Sequence, residues 1–406
     1  MKKIWNFIYE VSILFSFLGM LFIPFSFRIV QIQSKITQLV FEDLIIWIAS
    51  FFDSIKIVNL EITSDSTTLF VLVFILLFLA LVLILLTKLM KISKEKSIVL
   101  FQNIQLILVF YLSLVMLKYG FDKIFKVQFY LPEPNLLYTP LGLLEKDILY
   151  WSTIGSSYSY SVFIGLIEII PAILLIFRKT RTLGLVMLVG VLVYVIAINF
   201  CYDISVKLYS SFLLLVSIVL LLPSIQALFN FFILGKIAQL PTIPKTNFKI
   251  GTLKSMTLKT TFIAIIFLEC LFPYLKSNIL NADNSSKFHL HGAYEVIKVI
   301  DLTSQKEVNT NTIKRLFFHQ QNYFIVQYNN DTTEDYYLET NQRDNEFTLI
   351  GYDGKKLKVV YNYSEMDKKL ELNFIDLNVQ ITSNSLNWRK LPLLQPQFHW
   401  TVDTIE

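Results

Sequence analysis

Apolar residues follow two different rhythms along this chain. Up to about residue 280 they come in unbroken runs, and beyond it they alternate with polar residues in short bursts. A bilayer takes about 20 apolar residues to cross as a helix. Seven runs meet that need, at approximately 4–24, 68–88, 98–118, 158–177, 183–200, 206–223 and 260–278. The stretch Ile36–Ile55 mixes Leu39, Phe41, Leu44, Trp47 and Phe51 with Glu42, Asp43 and Asp53. That mixture predicts a helix lying in the outer interface or tucked against the bundle. A short amphipathic helix is expected at Ile225–Ile237, before Pro241 and Pro244 end it.

The tail predicts strands at Ala293–Ile300, Ile313–Phe318, Tyr323–Tyr328, Asp335–Glu339, Glu346–Tyr352, Lys355–Tyr363, Lys369–Phe374 and Asn378–Thr382. Asp353-Gly354 between two of them predicts a type I′ hairpin. So many short strands pack naturally as an antiparallel meander, a small barrel or a sandwich. The fold class expected is a polytopic α-helical membrane protein of about seven transmembrane helices, followed by an extracytoplasmic all-β domain. The expected divisions are 1–97, 98–225, 226–280 and 281–406.

Composition agrees: 54% of the 406 residues are hydrophobic and only 17% charged, too apolar for an ordinary soluble chain. The charges decide orientation. Lys2 and Lys3 precede the first run, Lys88, Lys91, Lys94 and Lys96 follow the second, and Arg178, Lys179 and Arg181 follow the fourth. Lys236, Lys245, Lys249, Lys254 and Lys259 precede the seventh, while the remaining connections are acidic or mixed. Basic connections mark the cytoplasmic face, so the N-terminus is expected inside and the tail outside. Met-Lys-Lys before an apolar run resembles a signal peptide, but Glu10 and the missing small-residue cleavage site favour a retained first helix. The net charge of +5 needs no nucleic acid partner. Cys201 and Cys270 form no C-x-x-C, which leaves a bridge between them open but removes a disulfide scaffold.

Glu168 carries the strongest chemical signal. It lies deep in an apolar run, where a carboxylate costs roughly 2.5–3.5 kcal/mol on insertion scales and needs a partner, a proton or a watery cavity. Glu269 and Glu10 share the problem. Pro171 follows Glu168, and Pro273 follows Glu269; each proline leaves a carbonyl four residues back without its helical donor. Two readings follow: a polar cavity for an ion, headgroup or redox ring, or a paired carboxyl that helps helices pack. A second polar group comprises Lys118, Asp122, Lys123 and Lys126 after the third run, with Asn199, Asp203, Lys207 and Tyr209 around the hairpin between the fifth and sixth. Asp203 and Lys207 are spaced to pair on one helical turn. The segment 120–157, with its prolines, tyrosines and Trp151, is expected as an ordered cap at headgroup level. All four histidines, His289, His291, His319 and His399, fall in the tail, so the helices offer none for haem. His289-Leu-His291 places two imidazoles at alternate strand positions but brings no third metal ligand. Phosphate-loop, nucleophile-elbow, zinc-protease and dinucleotide signatures are absent from the sequence.

Between about 98 and 225 the chain resembles the four-helix DoxX-like membrane module. The resemblance rests on Tyr119-Gly-Phe-Asp-Lys123, Gly165-Leu-Ile-Glu168, Arg178-Lys-Thr-Arg181 and Asn199-Phe-Cys-Tyr-Asp203-Ile-Ser-Val-Lys207, in that order. It implies a bacterial inner-membrane protein, with Lys123 and Glu168 at the family's G-x-x-K and G-x-x-E positions. It also implies a quinone-linked role as one possibility, with quinone as the candidate cofactor. The chain departs from the module by two helices before it, one after it, and the β tail. Gly292-Ala-Tyr-Glu-Val296 and Phe398-His-Trp400 resemble small calycin-like barrels. The function expected is a non-catalytic or accessory subunit that holds a lipid or quinone-like molecule and docks a periplasmic or membrane partner. A quinone-linked oxidoreductase and a proton-coupled carrier using Glu168 and Glu269 are the alternatives.

Overall fold

The computed structural model describes residues 2–51, 62, 64–91, 93–241, 252–277, 279–307, 312–341, 345–396 and 398–401. Its contacts divide the chain into two compact units, Met1–Gln128 with Ser159–Leu280 and Phe129–Tyr158 with Asn281–Glu406. The first is helical: α1 (Lys2–Phe22), α2 (Val30–Ala49), α3 (Thr67–Leu89), α4 (Lys94–Ile124), then α7 (Tyr158–Ile176), α8 (Arg181–Cys201), α9 (Lys207–Phe232) and α10 (Thr252–Ser277). Between α4 and α7 the chain forms the short α5 (Pro134–Leu137) and α6 (Lys146–Gly155), which belong to the second unit.

Among the described residues seven helices, all of the first unit's but α2, are long and apolar enough to cross a membrane. Their packed sides share one core that includes Leu72, Leu76, Leu108, Leu112, Leu188 and Val216. Their outer sides stay apolar as well, with Phe74, Phe78, Phe163, Leu183 and Val193 exposed. A helix apolar all round belongs in lipid or in a large core. Lipid is what fits an exposed apolar surface of this extent.

The helix expected at Ile36–Ile55 is α2, which ends at Ala49; positions 52–55 of the expected range lie outside the described residues. It is tucked against the bundle through a stripe of Thr37, Phe41, Ile45 and Ala49 at helical spacing. Gln33 fastens it there: its Nε2 donates to the Ile23 carbonyl at 2.9 Å and its Oε1 accepts from the Phe25 amide at 3.2 Å. Carbonyls at the end of α1 thereby gain the donor that a helix terminus lacks. The separate helix expected at Ile225–Ile237 does not form. Instead α9 continues through Pro223 to Phe232, and the chain turns at Gly235 with φ +60°. Proline is tolerated within membrane helices where neighbours and local adjustment re-satisfy the freed carbonyl. The basic positions Lys245 and Lys249 lie outside the described residues.

The second unit is a closed antiparallel barrel. Its strands are β1 (Gly292–Asp301), β2 (Lys306–Glu307), β3 (Ile313–His319), β4 (Tyr323–Tyr328), β5 (Thr333–Asn341), β6 (Glu346–Ile350), β7 (Lys356–Ser364), β8 (Lys369–Phe374) and β9 (Val379–Leu386). Each neighbours the next in chain order, apart from the two-residue β2 beside β1, and β9 pairs back with β1 to close eight strands into a ring. A register shift between Val296 and Lys298 bends β1, which a strand needs in order to serve both β3 and β9. Alternation fills the ring: Leu316, Phe318, Phe324, Phe347, Leu349, Leu370 and Leu372 pack inside. Of the two packings the strand pattern allowed, the barrel is the one adopted, and closure removes the exposed edges an open sheet would carry.

The hairpin at Asp353-Gly354 differs from expectation. Ile350 pairs with Lys356, so the connection has five residues, and Gly354 alone takes positive φ, at +79°. A type I′ turn needs φ > 0 at both central residues. The Phe129–Tyr158 segment also departs from the boundaries the sequence suggested. It packs on the outside of the barrel wall, where Leu131, Leu137 and Tyr138 join Phe317, Ile325 and Trp388 in a second small core.

Candidate functional site

Two glycines govern the approach of α4 and α7. A Cβ at Gly120 would stand 2.8 Å from the Gly165 carbonyl, and one at Gly165 would stand 2.6 Å from the Gly120 carbonyl. The helices therefore touch backbone to backbone, which any side chain would prevent. Hydroxyls bond across the crossing on either side of the glycines. Ser161 Oγ donates to the Lys123 carbonyl and Ser113 Oγ to the Ala172 carbonyl, both at 2.8 Å.

Lys123 and Glu168 each lie three residues after one of these glycines, and they meet. Lys123 Nζ donates to Glu168 Oε2 at 2.8 Å, with the side chains only 8% and 3% exposed. The lysine also sits 5.3 Å above the Tyr119 ring, which adds a cation–π contact. Beside the pair, between α7 and α8, is a cleft of about 330 Å³. Tyr160, Phe163, Ile164, Val191 and Tyr194 form its walls, and Glu168 is the acid among them. Tyr160, Phe163 and Tyr194 are also exposed on the outer, apolar side of the bundle, so the cleft opens toward lipid.

The other residues singled out from the sequence do not converge on that cleft. Asp122 accepts from Lys118 at 2.6 and 2.8 Å and from the Tyr274 hydroxyl, which ties α4 to α10. Glu269 takes the Arg28 amide at 2.8 Å and lies 3.5 Å from its guanidinium. Glu10 pairs with Lys88 at 3.3 Å. Asn199 donates to Ser210 at 3.0 Å. The expected Asp203–Lys207 pair forms at 2.7 Å, although Asp203 precedes the helix in a left-handed conformation at φ 55°. Tyr209 shares a 2.8 Å hydrogen bond with Tyr111 and stacks on Phe25, which in turn meets the Tyr119 ring edge-on at 5.3 Å. Lys126 is buried in the turn after α4 at φ 60°. Cys201 is exposed and Cys270 buried, and both are free thiols.

Several participants carried no sequence signal. Asp65 accepts the Lys207 and Leu208 amides, each at 2.9 Å, and so caps α9 from a distant loop. Arg28, Tyr111 and Tyr274 were likewise silent, because their partners are remote in sequence.

The second unit holds a polar cluster of its own. Glu133, 1% exposed, accepts from the Gln320 amide at 3.1 Å and lies 2.8 Å from His291 Nε2. Burial pushes its carboxyl up, but His291, His319 and the Gln320 amide outweigh burial and hold it below the usual carboxylate range. Burial pushes His319 down, and Lys287 likewise. His289 packs on Phe288 and Tyr361 instead of joining His291. Among the described residues no three His, Cys, Asp or Glu gather to hold a metal ion.

Seven apolar spans joined to a closed eight-stranded barrel define a membrane protein with a β-barrel domain. Over 71 residues the chain is 38% identical to the uncharacterised protein YwoB of Bacillus subtilis (strain 168), a match that covers 18% of this chain and 46% of that protein. The chain thus spans less than half the length of the curated relative it matches. No family model matches the sequence. No solved structure matches it.

Proposed function

We propose that the helical unit holds an amphipathic small molecule, a lipid or quinone-like compound, in the cleft between α7 and α8, and that the barrel unit docks a partner protein. One observation carries the reading: a cleft of about 330 Å³ with aromatic and aliphatic walls, open toward lipid, lies against a buried acid. Concave, mostly apolar sites with a few placed polar groups are what such ligands use. A Glu168 packed solidly on leucine and isoleucine would have argued against it.

The resemblance of 98–225 to the DoxX-like module supports the same direction, because Lys123 and Glu168 occupy its G-x-x-K and G-x-x-E positions. That resemblance and the alternating basic connections support a bacterial inner membrane, with the N-terminus cytoplasmic and the barrel extracytoplasmic. A carrier would need Glu168 and Glu269 on one path, yet each closes into a separate ion pair, Lys123 with the first and Arg28 with the second.

The test is native mass spectrometry of gently extracted protein, run beside an Ile164→Trp variant that fills the cleft. A bound amphiphile retained by the parent and lost from the variant is the expected result. Equal occupancy in both, or none in the parent, overturns the proposal.

A further inference from the structure

Resting on the amphiphile-binding reading, we infer that the cleft selects amphiphiles whose polar end carries a hydrogen-bond donor, a hydroxyl, over those that bring only acceptors or a negative charge. The argument lies in the two oxygens of Glu168. Oε2 is taken by Lys123 Nζ at 2.8 Å. Oε1 has no hydrogen bond among the described residues, nor is it one of the fully occluded polar atoms. The residue is only 2% exposed, and it lines the cleft.

Lys123 donates to one oxygen of the carboxylate, which leaves the other an acceptor. A buried acceptor without a donor is costly, and hydrogen bonds to ionised groups are among the stronger ones in proteins. An incoming hydroxyl satisfies Oε1. An ether or ester oxygen, or an oxidised ring carbonyl, does not. A carboxylate or phosphate meets like charge in an apolar surround, where repulsion is least screened. The walls suit an isoprenoid or alkyl tail, because Ile164, Val191 and the rings of Tyr160, Phe163 and Tyr194 offer apolar surface. Alcohols from a polyprenol and phenols from a reduced quinone share this donor chemistry.

The experiment uses the full chain in lipid nanodiscs with three photoactivatable probes of one tail: a C16 alcohol, its methyl ether and the matching carboxylate. Crosslinks are mapped by mass spectrometry. The expected result is labelling of α7 and α8 around residues 160–195 by the alcohol, with the ether and carboxylate weaker by about 10- to 100-fold. In the double variant Lys123→Met/Glu168→Leu, the preference for alcohol disappears, its labelling falling to the level of the ether. Equal labelling by ether and alcohol, a preference for the carboxylate, or a preference that survives in the double variant overturns the donor inference and leaves amphiphile binding standing. Labelling of α7 and α8 by none of the probes overturns the binding proposal itself.

Discussion

Removing one member of the Lys123–Glu168 pair is predicted to destabilise the helical unit far more than removing both. The two side chains are 8% and 3% exposed and 2.8 Å apart, so either one alone is a charge left in an apolar interior. Breaking a buried pair from one side costs about 3–5 kcal/mol, whereas replacing both with apolar groups of similar volume is often neutral or stabilising. Tyr119 would not rescue the lone lysine. Its ring lies 5.3 Å from Nζ, and a cation–π contact contributes about 0.5–2 kcal/mol, short of the loss. The backbone crossing should survive, because it rests on Gly120, Gly165, Ser161 and Ser113 and not on the ion pair. Lys123→Met and Glu168→Leu should therefore each cost about 3 kcal/mol or more, and the double variant about 1 kcal/mol or less. Equilibrium unfolding in mixed micelles measures this cycle. Single variants within about 1 kcal/mol of the parent, or a double variant as unstable as the sum of the singles, would refute the buried-pair reasoning.

The glycine crossing predicts that Gly165→Ala destabilises by about 1–3 kcal/mol, since its Cβ would meet the Gly120 carbonyl at 2.6 Å. Gly190→Ala, with nothing within 4 Å, should be neutral or better in the same unfolding assay. Asp65→Ala removes both amide bonds at the start of α9 and should cost about 0.5–2 kcal/mol, with faster hydrogen exchange confined to its first turn. In the barrel unit, Glu133 is held low and His319 is pushed down by burial, so the unfolded chain binds more protons and stability rises with pH. The His319 contribution is complete above about 6.5 and fades as pH falls through its lowered value; that of Glu133 is complete above about 4.5 and fades on further acidification. Protection factors of β1 and β3 amides, corrected for the intrinsic exchange rate at each pH, should be higher at pH 7.5 than at pH 5, and identical protection at both would refute the assignment. Finally, an impermeant maleimide added to intact cells should label exposed Cys201, at the end of α8, and spare buried Cys270 until the protein is denatured; labelling only from the cytoplasmic side would reverse the proposed orientation.

Local pattern carried most of the fold. The seven spans and eight barrel strands could be read because their signals, apolar length and alternation, lie within each segment. Closure of β9 onto β1 was not visible, as it pairs Ala293 with Leu386 and depends on accumulated twist and one bulge. The sixth run is expected to stop near 223, with a separate helix at Ile225–Ile237, yet α9 runs through Pro223 to Phe232, as apolar surroundings offer the chain nowhere else to satisfy its backbone. The segment Phe129–Tyr158 carried the aromatic and proline signature of an interface. Its actual partners, Phe317 and Ile325, lie nearly two hundred residues onward, and no local rule points there.

The candidate site divides along the same line. Lys123 and Glu168 were legible as a pair of G-x-x-charge motifs, and the structure supplies the reason for that spacing. Glycine lets two helices meet at the backbone, and a residue three positions on lies on nearly the same face, almost one turn along. Two such motifs on crossing helices thus bring their charges together. Glu269 has no such glycine at the corresponding spacing, and it finds Arg28 instead, 241 positions away. The geometry also gives Glu168 two separate tasks. One oxygen is taken by Lys123, which keeps the acid tolerable in an apolar bundle; the other lies beside the cleft. A carboxylate kept only for packing would be expected to close both oxygens on the protein, as Asp65 and Asp122 do here. Burial is what sets Glu168 apart: it is 2% exposed, and its open oxygen lies beside a cleft, whereas Asp122 and Glu269 close both of theirs on protein donors.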